Sequence, residues 1–213
     1  CHLHTDLCAC DLLVPLDTPT ELVVVAHRYE MRKPTNTGRL AILCLTRARL
    51  CIRGRQDVDN DPVTWAPERT PLLLFPCPGA VPLDEWKAAQ PTNAPPVTLI
   101  VPDGTWRQSK RVRRRVPGLA DVTAVSLPGA VLSTRRIRQP IFAHHLATLE
   151  AVAHAYGQTK GNNEAMNAKI KTKIDHVISM LKTYQRPDGF LFATTDEQFG
   201  APEGKGGNSW VPW

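Results

Sequence analysis

The sequence predicts an α/β protein with a mostly parallel sheet and helices on both faces. Four short runs rich in Val, Ile and Leu have the length and composition of buried strands: residues 21–27, 72–76, 97–103 and 122–127. Their apolar residues are nearly continuous, which is typical of parallel strands that are covered on both sides. Segments with helical spacing lie between and after these strands, and this alternation indicates the α/β class.

The helical segments and loops complete the chain. Residues 37–50, TGRLAILCLTRARL, fit a helix that begins at Thr37, although their apolar run is dense enough for a strand. Residues 146–157, LATLEAVAHAYG, predict a helix ended by Gly157. Helical spacing from Met166 to Leu181 predicts an amphipathic C-terminal helix that packs on the sheet. Pro-rich loops separate the strands.

One domain with short extensions accounts for the length. A chain of 213 residues, 42% hydrophobic, can bury roughly 70% of its unfolded surface in one core. We divide it into a cysteine-rich segment (1–20), an α/β domain (21–186) and a Gly/Pro-rich tail (187–213). No run approaches the ~20 apolar residues of a membrane span, and no signal peptide opens the chain, so we expect a soluble, cytoplasmic protein. Because the first residue is Cys1 and not Met, we expect further chain upstream.

Positive charge is concentrated in one segment. Residues 101–140 hold nine Lys or Arg against two Asp, a net charge of +7, whereas the whole chain carries +6. Six of the nine residues from Arg107 to Arg115 are basic, and none is acidic. This pattern is typical of proteins that bind polyanions, because neutralised phosphates release counterions. A solvated helix face without a partner is the less favoured interpretation.

The stretch VPDGTWRQSKRVRRR, residues 101–115, places one carboxylate beside this charge. Thr105 and Gln108 have the spacing of a capping box, which predicts a helix that continues until Pro117 and Gly118. A helix N-terminus at the carboxyl end of a strand favours a bound anionic group, so Asp103 is predicted to project into a ligand crevice. On its own, DGTW favours a simpler interpretation, with Asp103 as a turn or cap residue.

A second polar cluster follows the first predicted strand. In TNTGR, residues 35–39, Asn36 favours a turn, Gly38 lets a backbone approach a ligand closely, and Arg39 can bind phosphate through two N–H groups. By itself this motif is an ordinary turn and helix cap. Its position directly after a strand favours a binding role.

Three cysteines lie near the start of the chain. Cys1, Cys8 and Cys10 have C-x6-C-x-C spacing, which suggests a zinc site more than a disulfide in an intracellular chain. A nearby histidine or an upstream cysteine would supply the fourth ligand. Free cysteines in a frayed terminus fit the spacing equally well.

Four motifs in this order resemble one family. They are TNTGR (35–39), LLLFP (72–76), DGTW (103–106) and ATLEA (147–151), and a cysteine-rich start precedes them. Over about residues 1–156 the chain is similar to the DTW-domain family of tRNA-uridine aminocarboxypropyltransferases, and D-x-T-W is the most specific motif. The resemblance implies a SPOUT-like fold with a knotted S-adenosylmethionine site formed by loops after the strands.

The resemblance, the charge pattern and the cysteine spacing together predict functional residues. Asp103 is the predicted catalytic residue. The predicted S-adenosylmethionine-binding residues are Thr37, Leu74, Phe75, Pro76, Asp103, Gly104, Thr105, Trp106, Thr148 and Glu150. The predicted RNA-binding residues are Arg39, Arg107, Lys110, Arg111 and Arg114. The predicted zinc ligands are Cys1, Cys8 and Cys10, and the family's C-x2-C pattern implies a partner for Cys1 upstream.

Two departures from the family pattern stand out. Ala147 occupies a position where the family commonly has Ser or Cys, so its side chain cannot donate a hydrogen bond. The chain beyond Tyr184 matches no part of the family pattern.

Family members transfer the 3-amino-3-carboxypropyl group of S-adenosylmethionine to N3 of uridine and leave methylthioadenosine. A carboxylate such as Asp103 can accept the N3 proton or hold the substrate's ammonium group. Trp106 is equally suited to stack on a base or to anchor its helix. Two alternatives stay open: an S-adenosylmethionine-dependent RNA methyltransferase, and a non-catalytic zinc-containing RNA-binding module.

Overall fold

The computed structural model describes residues 10, 13, 15–33, 36–54, 62–128, 146–158 and 172. Its centre is a sheet in which every strand pairing is parallel, with the spatial order β2-β1-β5-β3-β6-β4. The strands are β1 (Glu21–His27), β2 (Ala48–Arg53), β3 (Thr70–Leu74), β4 (Val81–Pro82), β5 (Val97–Asp103) and β6 (Thr123–Ser126). The predicted α/β class with a mostly parallel sheet is confirmed.

Five α-helices connect or follow these strands in the described ranges. They are α1 (Thr37–Leu43), α2 (Leu83–Ala88), α3 (Trp106–Ser109), α4 (Val112–Arg115) and α5 (Thr148–Gln158), with a 3-10 turn at Glu30–Arg32. Helix α5 includes Gly157, which the sequence predicts as its end. No helix of the described residues is both long and apolar enough to span a membrane.

Helices cover both faces of the sheet, as the continuous apolar strands predict. Residues Leu22, Val24 and Ala26 of β1 enter a core cluster that includes side chains of α1 and α5. The alternate residues Val23 and Val25 enter a second cluster, which includes Val112 of α4. Strand β1 is therefore buried on both sides.

The carboxyl ends of neighbouring strands meet at one edge of the sheet. Strand β1 pairs with β5 in a register that sets Ala26 beside Asp103, and with β2 in a register that sets His27 beside Arg53. Polar segments that follow these strands are thereby brought together, although they are distant in sequence.

Two predicted helices differ from the structure. The helix predicted from Thr105 to Pro117 is divided into α3 and α4, which Lys110 and Arg111 separate. Both residues keep right-handed helical backbone angles, but the N–H of Arg111 donates to the carbonyl oxygen of Gln108, three residues earlier, which interrupts the regular α-helical bonding. The ambiguous segment 37–50 contains both alternatives, since α1 occupies its first half and β2 begins at Ala48.

Several predicted features lie outside the described residues. These are the C-terminal helix from Met166 to Leu181, the tail 187–213 and residues 129–145, which join β6 to α5. The predicted knot and the proposed domain bounds stay predictions.

Candidate active site

Asp103 is a buried carboxylate at the carboxyl end of β5. It is 3% exposed, and each of its oxygens accepts a hydrogen bond from another segment. Asn36 Nδ2 donates to Oδ2 at 2.5 Å, and Thr148 Oγ1 donates to Oδ1 at 2.6 Å. The carboxylate therefore joins the start of α1, the end of β5 and the start of α5.

Asn36 is oriented by its role as the N-cap of α1. Its Oδ1 accepts the backbone N–H of Arg39 at 2.7 Å, so its Nδ2 is the group that faces Asp103. Sequence reasoning identified Asn36 as a turn former and missed this second bond. The motif TNTGR thus supplies both a helix start and a donor to the carboxylate.

Gly38 allows α1 to lie directly against Asp103. A Cβ atom at this position would lie 2.9 Å from both Cγ and Oδ2 of Asp103. Such a contact is shorter than real Cβ atoms tolerate, so the sequence needs glycine here for packing. The sequence predicts that Gly38 allows a close backbone approach to a ligand. In the structure this close approach is to the carboxylate of Asp103.

Arg39 is half-buried beside the same carboxylate. Its guanidinium donates to the carbonyl oxygen of Met31. Burial lowers the pKa of Arg39, and the charge of Asp103 partly offsets this effect. The structure therefore places this predicted RNA-binding residue near the buried acid.

An open cavity of about 240 Å³ lies beside Asp103. It is formed at the carboxyl ends of β3, β5 and β6 and the start of α5, and its lining is mostly apolar. The lining residues are Leu74, Phe75, Pro76, Val101, Pro102, Gly104, Trp106, Ser109, Ser126, Leu127, Leu146, Thr148 and Ala151. This position, at the carboxyl edge of a parallel sheet, is where α/β folds usually bind ligands.

The predicted cofactor-binding residues divide into two sets. Six of them line the cavity: Leu74, Phe75, Pro76, Gly104, Trp106 and Thr148. The other four, which do not line it, are Thr37, Asp103, Thr105 and Glu150. Asp103 borders the cavity through its hydrogen bond with Thr148. The assignment of all ten residues to S-adenosylmethionine binding stays a prediction.

Thr105 caps α3 as the sequence predicts. Its backbone N–H donates to Gln108 Oε1 at 2.8 Å, and Gln108 N–H donates to Thr105 Oγ1 at 3.2 Å. The interpretation of Asp103 as the helix cap is therefore wrong, because the cap is Thr105.

Trp106 contributes to both the core and the cavity. Its ring is tilted by 50° against Phe75, with centroids 5.3 Å apart. It packs at the border of the second core cluster and also lines the cavity. Trp106 therefore packs against the core, and part of its ring also lines the cavity.

Glu150 stabilises the start of α5. Its Oε2 accepts the backbone N–H of Ala147 at 3.0 Å, and the residue is 7% exposed. This is half of a capping box, because Ala147 has no side-chain oxygen to complete it.

The predicted RNA-binding residues other than Arg39 lie on or between α3 and α4. Arg107, Lys110 and Arg114 are exposed, and Arg111 is half-buried. Their side chains form a basic surface, which we call the α3–α4 surface. RNA binding there stays a prediction.

The predicted zinc site falls mainly outside the described residues. Cys10 is exposed, whereas Cys1 and Cys8 are not described. Within the described ranges, no three His, Cys, Asp or Glu side chains lie close enough to hold a metal ion. The site stays a prediction.

Comparison with known families and proteins gives one consistent result. The DTW domain matches residues 1–185 of the chain. A relative named tRNA-uridine aminocarboxypropyltransferase A, from Arabidopsis thaliana, is 26% identical over 215 residues, which cover 88% of this chain and 81% of the relative. No solved structure matches the chain significantly.

Animal relatives carry a similar name. tRNA-uridine aminocarboxypropyltransferase 2 of Macaca fascicularis is 29% identical over 169 residues, which cover 76% of this chain and 56% of the relative. The protein of that name from Drosophila melanogaster is 24% identical over 220 residues, which cover 96% and 83%. The chain therefore spans about half the length of the macaque relative and most of the fly relative.

Proposed function

Because the chain belongs to the DTW domain family, we propose that it is a tRNA-uridine aminocarboxypropyltransferase. It transfers the 3-amino-3-carboxypropyl group of S-adenosylmethionine to N3 of a uridine in tRNA. The observation that carries the proposal is the buried Asp103 network, which lies beside an apolar cavity bounded by the family's own motifs. The names of the plant and animal relatives support the same reaction.

The reaction exchanges one bond of the transferred carbon for another. A bond forms between uridine N3 and the γ-carbon of the methionine part, and the bond from that carbon to sulfur breaks. The electron pair of the broken bond stays on sulfur, which leaves as methylthioadenosine. The N3 proton must pass to a base, and alignment of N3 with the γ-carbon rather than the methyl group decides the product.

The cavity residues suit the adenosine part of the co-substrate. Leu74, Val101 and Leu127 offer apolar contact for a base, and Trp106 and Phe75 offer aromatic surface. Ser126 supplies a polar group in the same wall. The chemistry of this lining therefore fits a nucleoside better than a wholly charged ligand.

Asp103 is the acidic group of the proposed centre. Each carboxylate oxygen has acceptor capacity beyond the single bond it makes with Asn36 or Thr148. The carboxylate can therefore accept the N3 proton, directly or through water, or hold the co-substrate's ammonium group. Thr148 and Asn36 fix its position for either role.

The proposal has further parts. The SPOUT-like knot rests on the family resemblance, a structural zinc at Cys1, Cys8 and Cys10 rests on the cysteine spacing together with that resemblance, and we propose a cytoplasmic location with them. Zinc would stabilise the N-terminal segment. The target uridine leaves its base stack to reach the cavity, a cost of a few kcal/mol that phosphate contacts can offset.

One incubation tests the reaction. The protein is mixed with unmodified tRNA and S-adenosylmethionine, and the small product and the altered nucleoside are identified by mass spectrometry. We expect methylthioadenosine and an aminocarboxypropyl-uridine in equal amounts. S-adenosylhomocysteine would indicate a methyltransferase, and tRNA binding without any consumption of co-substrate would indicate a binding module.

A binding measurement connects the cavity to the co-substrate. Ala151 is half-buried and lines the cavity, so Ala151→Phe should fill part of it and raise the Kd for S-adenosylmethionine about tenfold or more. A matched control is Ala153→Phe, on the same helix but outside the lining. If the Ala151→Phe variant and the unaltered protein bind S-adenosylmethionine equally well, the co-substrate binds outside this cavity.

The α3–α4 surface should govern tRNA affinity. Replacing Arg111 and Arg114 with Ala is expected to weaken binding to many tRNA sequences and to reduce the salt slope by about 1 for each phosphate that is no longer neutralised. Binding of S-adenosylmethionine should be nearly unchanged. Arg47→Ala is the control, because Arg47 is exposed just before the amino end of β2 and pairs with Asp17 at 3.1 Å. If the double variant keeps the salt slope of tRNA binding, the α3–α4 surface does not contact tRNA phosphates.

A further inference from the structure

A second polar cluster lies at the carboxyl ends of β1 and β2. The backbone N–H of Arg28 donates to the carbonyl oxygen of Arg53 at 2.9 Å, which continues the strand pairing. Directly afterwards the chain turns at Gly54, whose φ is 79°. A Cβ atom on Gly54 would lie 2.6 Å from His27 Nε2, so the imidazole occupies the space that glycine leaves. We call these residues the β1–β2 cluster.

Arg53 is the unusual member of this cluster. It is 6% exposed, yet neither Nε nor Nη2 has a hydrogen-bond acceptor in the described part of the chain. A buried cation is normally paired, because the hydration that it gives up must be replaced. The guanidinium therefore holds two unsatisfied donors in a buried position.

Among the described residues, the charge that acts on Arg53 is positive. Burial lowers its pKa, and the charge of Arg115, the last residue of α4, lowers it further. Arg115 is itself exposed. Two guanidinium groups that repel each other are stabilised when an anion lies between them.

His27 lies in the same cationic environment as Arg53. Its pKa is lowered first by burial and then by the charges of Arg53 and Arg28. Lys33 adds to this effect, although its ammonium pairs with Glu30 at 2.7 Å. The described charges that act on the imidazole are thus all cationic.

We propose that Arg53 and Arg115 bind a backbone phosphate of the RNA substrate at the β1–β2 cluster. The site would hold a nucleotide that flanks the target uridine, and this assignment rests on the proposed tRNA substrate. Arginine suits the role because its planar guanidinium can donate two parallel N–H bonds to phosphate oxygens. The unmatched donors of Arg53 supply that geometry.

Tyr29 indicates that the phosphate belongs to a nucleotide rather than to a free ion. It is the one large apolar side chain exposed in the described ranges, at 48%. Its ring stacks on His27 with centroids 5.2 Å apart, and the guanidinium carbon of Arg28 lies 4.7 Å from the ring centroid. An exposed aromatic ring beside cations is a typical surface for single-stranded RNA.

The cluster lies at the same edge of the sheet as Asp103. Strand β1 lies between β2 and β5, so Arg53 ends a strand two positions from the one that carries Asp103. With about 4.8 Å between neighbouring strands, the two residues lie roughly 10 Å apart along this edge. Side chains alternate along each strand, so Asp103 shares the face of Ala26, whereas Arg53 shares the opposite face with His27. Helix α4, which ends at Arg115, packs through Val112 on the same face of the sheet as Val25, and Arg53 lies on that face.

Arg53→Met tests the site without relying on catalysis. Methionine keeps an unbranched side chain and removes a buried charge whose Nε and Nη2 have no acceptor in the described ranges, so the melting temperature in phosphate-free buffer should stay equal or rise. Inorganic phosphate should raise the melting temperature of the unaltered protein and should do so much less in the variant. Arg47→Met, just before the amino end of β2, should keep the phosphate response.

Binding of tRNA gives the second readout. The Arg53→Met variant should raise the Kd about tenfold and reduce the salt slope by about 1, with unchanged affinity for S-adenosylmethionine. If phosphate stabilises the unaltered protein but the tRNA affinity of the variant is normal, the site binds a free anion and the RNA assignment is wrong. Because both readouts are binding measurements, they remain informative even if no methylthioadenosine is formed.

A carboxylate of the protein is the competing partner. Asp57, Asp59 and Asp61 follow Arg53 in the sequence and lie outside the described residues. If one of them pairs with Arg53, both Arg53→Met and the triple Asp→Asn variant should lower the melting temperature in phosphate-free buffer, and phosphate should have no effect. That outcome would overturn the proposal.

Discussion

Asp103→Asn is expected to lower turnover about 100-fold or more while both substrates still bind. Asparagine keeps the size of the side chain but removes its charge and basicity. Formation of methylthioadenosine, measured with saturating tRNA and S-adenosylmethionine, checks the expectation. Near-normal turnover together with an unchanged KM for S-adenosylmethionine would reduce Asp103 to a structural residue.

The geometry makes this substitution a clean test. Asn36 Oδ1 is engaged with the N–H of Arg39, so its Nδ2 still requires an acceptor at position 103. The amide oxygen of the substituted side chain would supply that acceptor, and its NH₂ group would face Thr148 Oγ1, which can accept as well as donate. The fold should therefore lose little stability, and a loss of turnover would be chemical in origin.

The kinetic pattern separates the two roles of the carboxylate. If Asp103 accepts the N3 proton, kcat falls, and higher pH restores part of it by ionising the uridine without a base. If Asp103 holds the ammonium group, the KM for S-adenosylmethionine rises and higher pH gives no recovery. Thr148→Val, which removes one donor to the carboxylate, should show a smaller effect of the same kind.

The continuous apolar pattern predicted the centre of the sheet well. The bounds of β1 and β5 agree with the prediction, because both strands are buried on both faces and leave little ambiguity in composition. Strand β2 was harder to predict, since Arg49 and Arg53 occur in it together with Leu50 and give a half-buried edge pattern. Strand β4 has two residues, which are too few for any periodicity.

The segments that form the site could be predicted from the sequence, but the contacts between them could not. The motifs TNTGR and DGTW each follow a strand, and this position is visible in the sequence. The bond between Asn36 and Asp103 joins residues 67 positions apart and depends on the pairing of β1 with β5, which no local pattern determines. Arg53 gave no signal, because its burial arises from the packing of distant segments.

Gly38→Ala is expected to lower turnover between about tenfold and 100-fold, although alanine is intrinsically the better helix former by about 1 kcal/mol. Gly38 lies in the first turn of α1, so the added Cβ would lie 2.9 Å from Asp103 Oδ2 and 3.2 Å from Oδ1. The carboxylate cannot move away without lengthening its bonds to Asn36 and Thr148. A shift of even about 1 Å in a catalytic group can cost about 100-fold in rate.

Gly157→Ala is the matched control, because Gly157 is also helical and an added Cβ there meets nothing within 4 Å. This variant should keep full turnover and gain about 0.5–1 kcal/mol in the free energy of unfolding. Adding Gly38→Ala to the Asp103→Asn variant should cost little further turnover, because both changes act on the same group. Fully additive losses would mean that Gly38 matters for some reason other than its packing against the Asp103 carboxylate.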